Sequence, residues 1–226
     1  MRVPRLSRMQ VIARLEATIG LLSGQTGTGL VPIKSRWGKV YEAWVLSLVC
    51  ERLAQDEHAT LVLVRGSRLA LRAKGGWLRK DLPYLEIDHP NRGRGILTTN
   101  LYCLTLSHEL RGAPQPPTRC DFHELDIALV DETADPRPTH KQVWLAIECK
   151  ETSFTKNFCR EALGLRRELS MLRSPLRTGF TIWPMNYVPA DPPSSLCVYS
   201  TDPQVADYDP AGSMFGVRFI HEPLPR

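Results

Sequence analysis

From Trp37 to Gln55 the chain reads WGKVYEAWVLSLVCERLAQ. Val40, Trp44, Leu48 and Leu53 recur at helical spacing, and neither Gly nor Pro follows Gly38, so the pattern predicts a long helix with one buried face. A sparser repeat of Met9, Ile12, Leu15 and Ile19, opened by Ser7 as N-cap, predicts an earlier helix to about residue 23, ended by the glycine-rich stretch 24–29. Beyond Gln55 the period shortens to two. Residues 60–73, LVLVRGSRLALRA in the main, alternate apolar and basic and predict a hairpin turning at Gly66-Ser67. Further strands are predicted over 84–88, 96–106, 122–130 and 142–150, with a proline-rich loop at 112–118. A helix over 156–172 follows, its end marked by Ser174-Pro175, and then strands near 180–183, 196–200 and 214–220. Helices on both sides of a run of strands predict an α/β or α+β class, of which α/β is the expectation. Residues 1–36 form a helix and a Gly-rich linker in this reading, and 37–226 form one domain.

Composition narrows the picture. With 226 residues, 42% hydrophobic and 23% charged, the chain has enough apolar surface for a core and is no disordered polymer. No apolar run approaches the roughly 18 residues of a membrane span. The basic N-terminal stretch is interrupted by Arg14 and Glu16 and lacks the continuous apolar centre of an export signal. Six cysteines, never spaced C-x-x-C, read as reduced thiols, so a cytoplasmic location is expected. Residues 1–80 hold 14 Lys/Arg against 5 Asp/Glu, whereas residues 81–151 hold 7 against 12. That asymmetry fits either a solvated basic surface or a polyanion-binding face beside a carboxylate-rich centre.

The centre has a pattern of its own. Strand side chains alternate between faces, so in 142–150 Glu148 and Lys150 project together, opposite Val143, Leu145, Ile147 and Cys149. In 122–130, Glu124 and Asp126 are expected on one face, opposite Leu125, Ile127 and Leu129. If the two strands are neighbours, Asp126, Glu148 and Lys150 meet. A carboxylate in so apolar a strand needs a partner, and two close carboxylates raise each other's pKa unless a cation lies between them. A hard divalent ion with oxygen ligands, Mg²⁺ (or Mn²⁺), answers both demands. Lys150 could then hold a water or a phosphate beside the ion and offset developing charge. The alternative is an edge strand whose outward face is simply wet.

The run Glu124-Leu125-Asp126-Ile127, a polar connection, and Ile147-Glu148-Cys149-Lys150 resembles the PD-(D/E)XK nuclease superfamily. The order of upstream helix, strands and following helix over about residues 37–200 is similar to its core. The resemblance implies a restriction-endonuclease-like fold, a central mixed sheet flanked by helices, here with an N-terminal helical extension. It implies a metal-dependent endonuclease cutting DNA phosphodiesters, the nuclease component of a restriction, defence or mobile-element system. Asp126 would be the shared metal ligand, Glu148 the second carboxylate and the backbone carbonyl of Cys149 a further ligand. Lys150 would activate or orient water. Glu42 is similar to the glutamate an upstream helix often supplies, although Glu51 shares that helix. Glu124 could line the site or be solvated. The motif has Leu125, not Pro, before Asp126.

Other residues extend or compete with that reading. Arg65, Arg68, Arg72 and Lys74, with Arg79, Lys80 and Trp77 nearby, could contact phosphates and stack on a base. Lys156, Arg160 and Arg167 offer the same on the later helix, Arg160 and Arg167 about two turns apart. Cys103, His108, Cys120 and His123 lack the spacing of a zinc site. The stretch 24–29 lacks the lysine of a phosphate-binding loop, with Leu30 in its place. No separate sequence-reading module is visible, so any specificity would come from a partner protein, a guide, oligomerisation such as a homodimer, or the irregular loops. Two alternatives stay open: a non-catalytic nucleic-acid-binding subunit on the same fold, and an enzyme acting on RNA or a small nucleotide.

Overall fold

The first described helix, α1 (Trp37–Gln55), has the bounds its sequence predicts, but it is enclosed on nearly every side. Val40 to Ser47, Val49, Cys50 and Leu53 are all buried, and Leu48 is half-buried. A helix this apolar all round belongs inside a protein and not on its surface. The computed structural model describes residues 37–66, 69, 71–72, 74–112 and 116–224. The predicted helix and linker of residues 1–36 lie outside the described residues.

The strands are β1 (Thr60–Val64), β2 (Tyr84–His89), β3 (Gly93–Leu104), β4 (Phe122–Asp131), β5 (Val143–Lys150), β6 (Met171–Arg177), β7 (Tyr187–Asp191), β8 (Ser195–Ser200) and β9 (Val217–His221). Between them lie α2 (Leu106–Leu110), α3 (Lys156–Leu169) and α4 (Asp209–Ser213). Seven strands form one mixed sheet in the order β1-β2-β3-β4-β5-β8-β9. β1 to β5 run as an antiparallel meander, and β5, β8 and β9 are parallel. The class is therefore α/β, a large mixed sheet with helices on its faces. No described helix is long and apolar enough to cross a membrane.

Each face of the sheet has its own core. α1 covers one, packing with Leu63, Ile87, Leu97, Ile127, Leu129 and Ile147. α3 covers the other through Ala162, Leu165 and Leu169, against Ala128, Ala146, Leu196 and Val198. Leu129 and Ile147 are fully buried, and burial of such side chains is worth about 2 kcal/mol each.

Several predicted elements are corrected. Among the described residues of 60–73 there is no hairpin: β1 pairs with β2, from Thr60↔Asp88 to Val64↔Tyr84. Leu69 and Leu71 instead tuck into the core under α1 as irregular chain. The later helix stops at Leu169, and Ser174-Pro175 sits within β6, at the irregular part of its pairing with β7, where an edge strand tolerates proline. Residues 180–183 form no strand. Their place is set by Glu57, a fully buried carboxylate just after α1. It accepts the backbone N–H groups of Thr181 at 2.6 Å, Ile182 at 2.5 Å and Trp183 at 2.7 Å, and His89 Nε2 lies 3.2 Å away.

Burial alone would raise the pKa of Glu57, but these donors more than reverse it, so the carboxylate titrates below its ordinary value. Desolvation also holds the His89 imidazole below its usual pKa and hence neutral. Both groups give up protons more readily folded than unfolded, so both contribute stability above their unfolded pKa values. That stability is lost as pH falls, first through His89 below about 6.5 and then through Glu57 below about 4.5. In urea unfolding, Glu57→Gln should cost about 2 kcal/mol at pH 7 and lose less stability than wild type between pH 5 and pH 3. An unchanged midpoint at pH 7 would contradict this role for Glu57.

Candidate active site

β4 and β5 pair from Val130↔Val143 to Ile127↔Ile147, and there their ladder ends. β4 continues beside β3 as far as Phe122↔Leu104, while β5 continues beside β8 to Lys150↔Ser200. The sheet thus forks, and Asp126 and Glu148 are the next residues on its two arms.

Asp126 closes the fork. Its Oδ2 accepts the backbone N–H of Cys149 at 2.8 Å, taking the place of a ladder bond that the diverging strands no longer make. The N–H and C=O of one extended residue point to the same side of the strand, so the Cys149 carbonyl faces the same fork. The expected sharing of one face by Leu125, Ile127 and Leu129 is corrected. Ile127 and Leu129 belong to the core under α1, whereas Leu125 joins the core under α3. On β3, Leu97 and Leu101 divide the same way, across Asn100, whose φ is +51°. Alternation breaks in both strands at one level, and Asp126 sits at the break.

Glu148 and Lys150 do project together, as alternation requires. Lys150 Nζ donates to Glu148 Oε2 at 3.1 Å, and the ammonium lies 5.4 Å from the centre of the Phe158 ring. The other oxygen, Glu148 Oε1, is buried with no hydrogen-bond partner. Desolvation, with Asp126 adding to it, pushes the Glu148 carboxyl up to about 8. For Lys150 burial works downward, but Glu148 and Asp126 outweigh it and raise its pKa. The Cys149 thiol is pushed well above its ordinary value, chiefly by burial, so it is a poor nucleophile.

A groove of about 410 Å³ opens on this pair between the fork and α3. His123 and Glu124 line it from β4, Glu148 and Lys150 from β5, and Glu161 and Glu168 from α3. Among its described lining residues Lys150 is the one lysine or arginine. Acids therefore dominate the walls, which the sequence reading missed for Glu161 and Glu168. Their i,i+7 spacing on one helix face was the available signal. A phosphodiester approaches such a wall only if further cations neutralise it.

Glu42 reaches the region from α1. It is buried, 2.7 Å from Lys39 Nζ and 3.3 Å from Asn100 Nδ2, and Lys39 also donates to Asn100 Oδ1 at 2.5 Å. Burial raises its pKa, Lys39 opposes that, and Asp126 adds to it. Lys39 and Asn100 carried no sequence signal. Glu51 stays at the far end of the helix, half-buried. Among the described residues no group of three or more His, Cys, Asp or Glu side chains is gathered closely enough to hold a metal ion. Cys103, His108, Cys120 and His123 accordingly form no metal site. The donor set available to an ion is Asp126, Glu148 and the Cys149 carbonyl, and the orphaned Oε1 is an oxygen such an ion would satisfy.

The residues expected to contact nucleic acid divide. Arg72 donates to the carbonyls of Gly76 at 3.2 Å and Trp77 at 2.9 Å, so it fixes its own loop. Trp77 packs edge-on against Tyr102 and Phe122 and is not an open stacking platform. Arg79 pairs with Asp81, and Lys80 donates to the Glu132 carbonyl. Arg65, Lys74, Lys156, Arg160 and Arg167 are exposed. Arg68 lies outside the described residues.

A group whose pKa rises on folding contributes stability below its unfolded pKa and loses it as pH climbs to the folded value. For Glu148 that window runs from about 4.5 to about 8. In EDTA, wild type should therefore be less stable to urea at pH 8.5 than at pH 6, and Glu148→Gln should flatten that decline. A parallel decline in the variant would remove Glu148 as its source. No family model, curated protein or solved structure matches the chain.

Proposed function

We propose that the chain is a metal-dependent nuclease of the PD-(D/E)XK type, hydrolysing a phosphodiester of DNA at the β4–β5 fork. The observation that carries the reading is the convergence there of Asp126, Glu148, the Cys149 backbone and Lys150, in the order and strand context of the resemblance. A mixed sheet with helices on both faces is compatible with a restriction-endonuclease-like fold. Asp126, Glu148 and the Cys149 carbonyl would hold Mg²⁺ or Mn²⁺, with Glu42 behind them. Bound there, the ion would supply Lewis acidity toward a phosphate oxygen and lower the pKa of a water.

The chain's own residues do the remainder. Glu148, raised toward 8 without a cation, becomes a carboxylate when positive charge stands beside it. With an ion sharing Glu148, the Lys150 ammonium that donates to it would be able to hold the attacking water or a non-bridging oxygen. Water adds to phosphorus and gives up a proton, the ester P–O bond breaks, and the departing alkoxide takes up one proton in exchange, leaving a phosphomonoester and an alcohol. Exposed Lys156 and Arg160 at the start of α3 would supply phosphate contacts that the acidic groove lacks. Specificity would come from a second copy or a partner protein.

A second reading has its own support. Among the described residues no group of three or more His, Cys, Asp or Glu side chains is close enough to hold a metal ion, and the groove is acid-lined, which would suit a non-catalytic subunit that keeps the fold. Supercoiled plasmid, single-stranded DNA and RNA, incubated with Mn²⁺ or EDTA, separate the readings. Wild type should cleave DNA only with the metal, and Asp126→Ala and Lys150→Ala should each lower the rate at least about 100-fold while remaining folded by circular dichroism. Cleavage of RNA alone would correct the substrate. Wild-type rates in Lys150→Ala, or no metal-dependent cutting by wild type, would favour the binding subunit.

A further inference from the structure

The flank of α3 opposite the groove bounds a second cavity, of about 550 Å³, between that helix and the β6–β7 hairpin. Its volume is in the range of small-ligand sites. Leu163, Met171, Leu172, Pro189, Ala190 and Phe215 make its walls apolar. Leu172 is 60% and Phe215 43% exposed, an arrangement costly to leave facing water.

One charge stands in this apolar setting. Arg166 forms part of the cavity wall and is only 5% exposed. Its guanidinium donates to the Ser194 carbonyl at 2.7 Å, to Ser194 Oγ at 2.7 Å and to Ser170 Oγ. All three acceptors are neutral, and among the described residues no carboxylate pairs with it. Its Nε–H is buried without an acceptor. A buried cation normally has a counter-ion, because desolvation without one is costly. Arg167, exposed, adds a second guanidinium to the same lining. Glu161 and Glu168 of α3 line the other cavity, so the helix turns its acids to one side and these two arginines to the other.

We propose that the cavity between α3 and the β6–β7 hairpin binds a small amphipathic carboxylate, its apolar body against Leu163, Leu172 and Phe215 and its anionic head paired with Arg166 and Arg167. The inference does not depend on the nuclease reading, since neither cavity shares a lining residue with the other.

Decanoate is the probe, with decanol and decyltrimethylammonium as neutral and cationic controls of equal chain length, titrated into the full chain. Decanoate should bind saturably, raise the unfolding temperature and shift the Arg166 Nε–H proton resonance together with the Met171 methyl. Charge-assisted hydrogen bonds of ordinary strength make decanol at least about tenfold weaker, and it should leave the Nε–H resonance in place. Arg167→Glu and Leu172→Glu change exposed residues that belong to no core, so both should fold as wild type, and each should weaken decanoate at least about tenfold. Equal affinity for decanol and decanoate would reduce the cavity to an unspecific apolar patch. Wild-type affinity in both variants, or no saturable binding to the full chain, would also overturn the proposal.

Discussion

The bond from the Cys149 amide to the Asp126 carboxylate holds the centre of the sheet together where its regular pairing fails. Two strands that diverge leave backbone donors and acceptors without partners, and an unsatisfied buried amide costs roughly as much as a lost hydrogen bond. Asp126 satisfies one such amide at 2.8 Å, so β4 and β5 can part without leaving that donor unpaired. The same bond fixes a carboxylate at the fork, beside the carbonyl of Cys149 and one residue from Glu148. Structure and chemistry are therefore coupled: a change that removes this oxygen removes both the closure of the fork and its fixed anion.

What surrounds the fork explains why it keeps so much charge. On the α1 side, Lys39 sits between Glu42 and Asn100, so the positive φ of Asn100 and its side-chain contacts occur at one point. On the α3 side, Lys150 sits between Glu148 and the Phe158 ring. Each face of the sheet thus brings one lysine to one glutamate, and Asp126 lies between the two pairs and raises the pKa of both glutamates. Each lysine pairs with one glutamate, and the Asp126 carboxylate adds negative charge that neither lysine offsets by contact. Protonation of Glu148 is one way to remove that excess, and a bound cation is another. The buried, unbonded Oε1 of Glu148 marks where the first solution leaves an oxygen unsatisfied.

Much of this was legible in the sequence, and the failures have physical causes. α1 has its predicted bounds because nineteen residues without an internal breaker leave little choice, and β4 and β5 are placed within a residue or so by their continuous apolar runs. The pairing of Glu148 with Lys150 follows from alternation alone. Alternation misleads at Asp126 because a break centred on Asn100 is a property of two strands together, and the motif around either residue gives no sign of it. Leu69 and Leu71 look like strand residues because they alternate, yet their burial comes from filling space beside α1. Residues 180–183 look like a strand because they are apolar and bulky. Their N–H groups answer to Glu57, more than 120 positions earlier in the chain, a pairing that no local pattern encodes.

α3 shows how one short helix separates two environments. Glu161 and Glu168 stand a heptad apart on the side facing the fork, while Leu163, Arg166 and Arg167 line the other cavity. Its core contacts through Ala162, Leu165 and Leu169 run between these flanks and lock its rotation. A rotation of 100°, one residue's worth, would carry acids toward the apolar cavity and arginines toward the fork, and the core would lose its leucines in the same movement. The charge segregation is therefore fixed by packing, not by attraction across the groove. It persists whether or not either cavity is filled, because the free energy that orients α3 lies in the buried side chains beneath it.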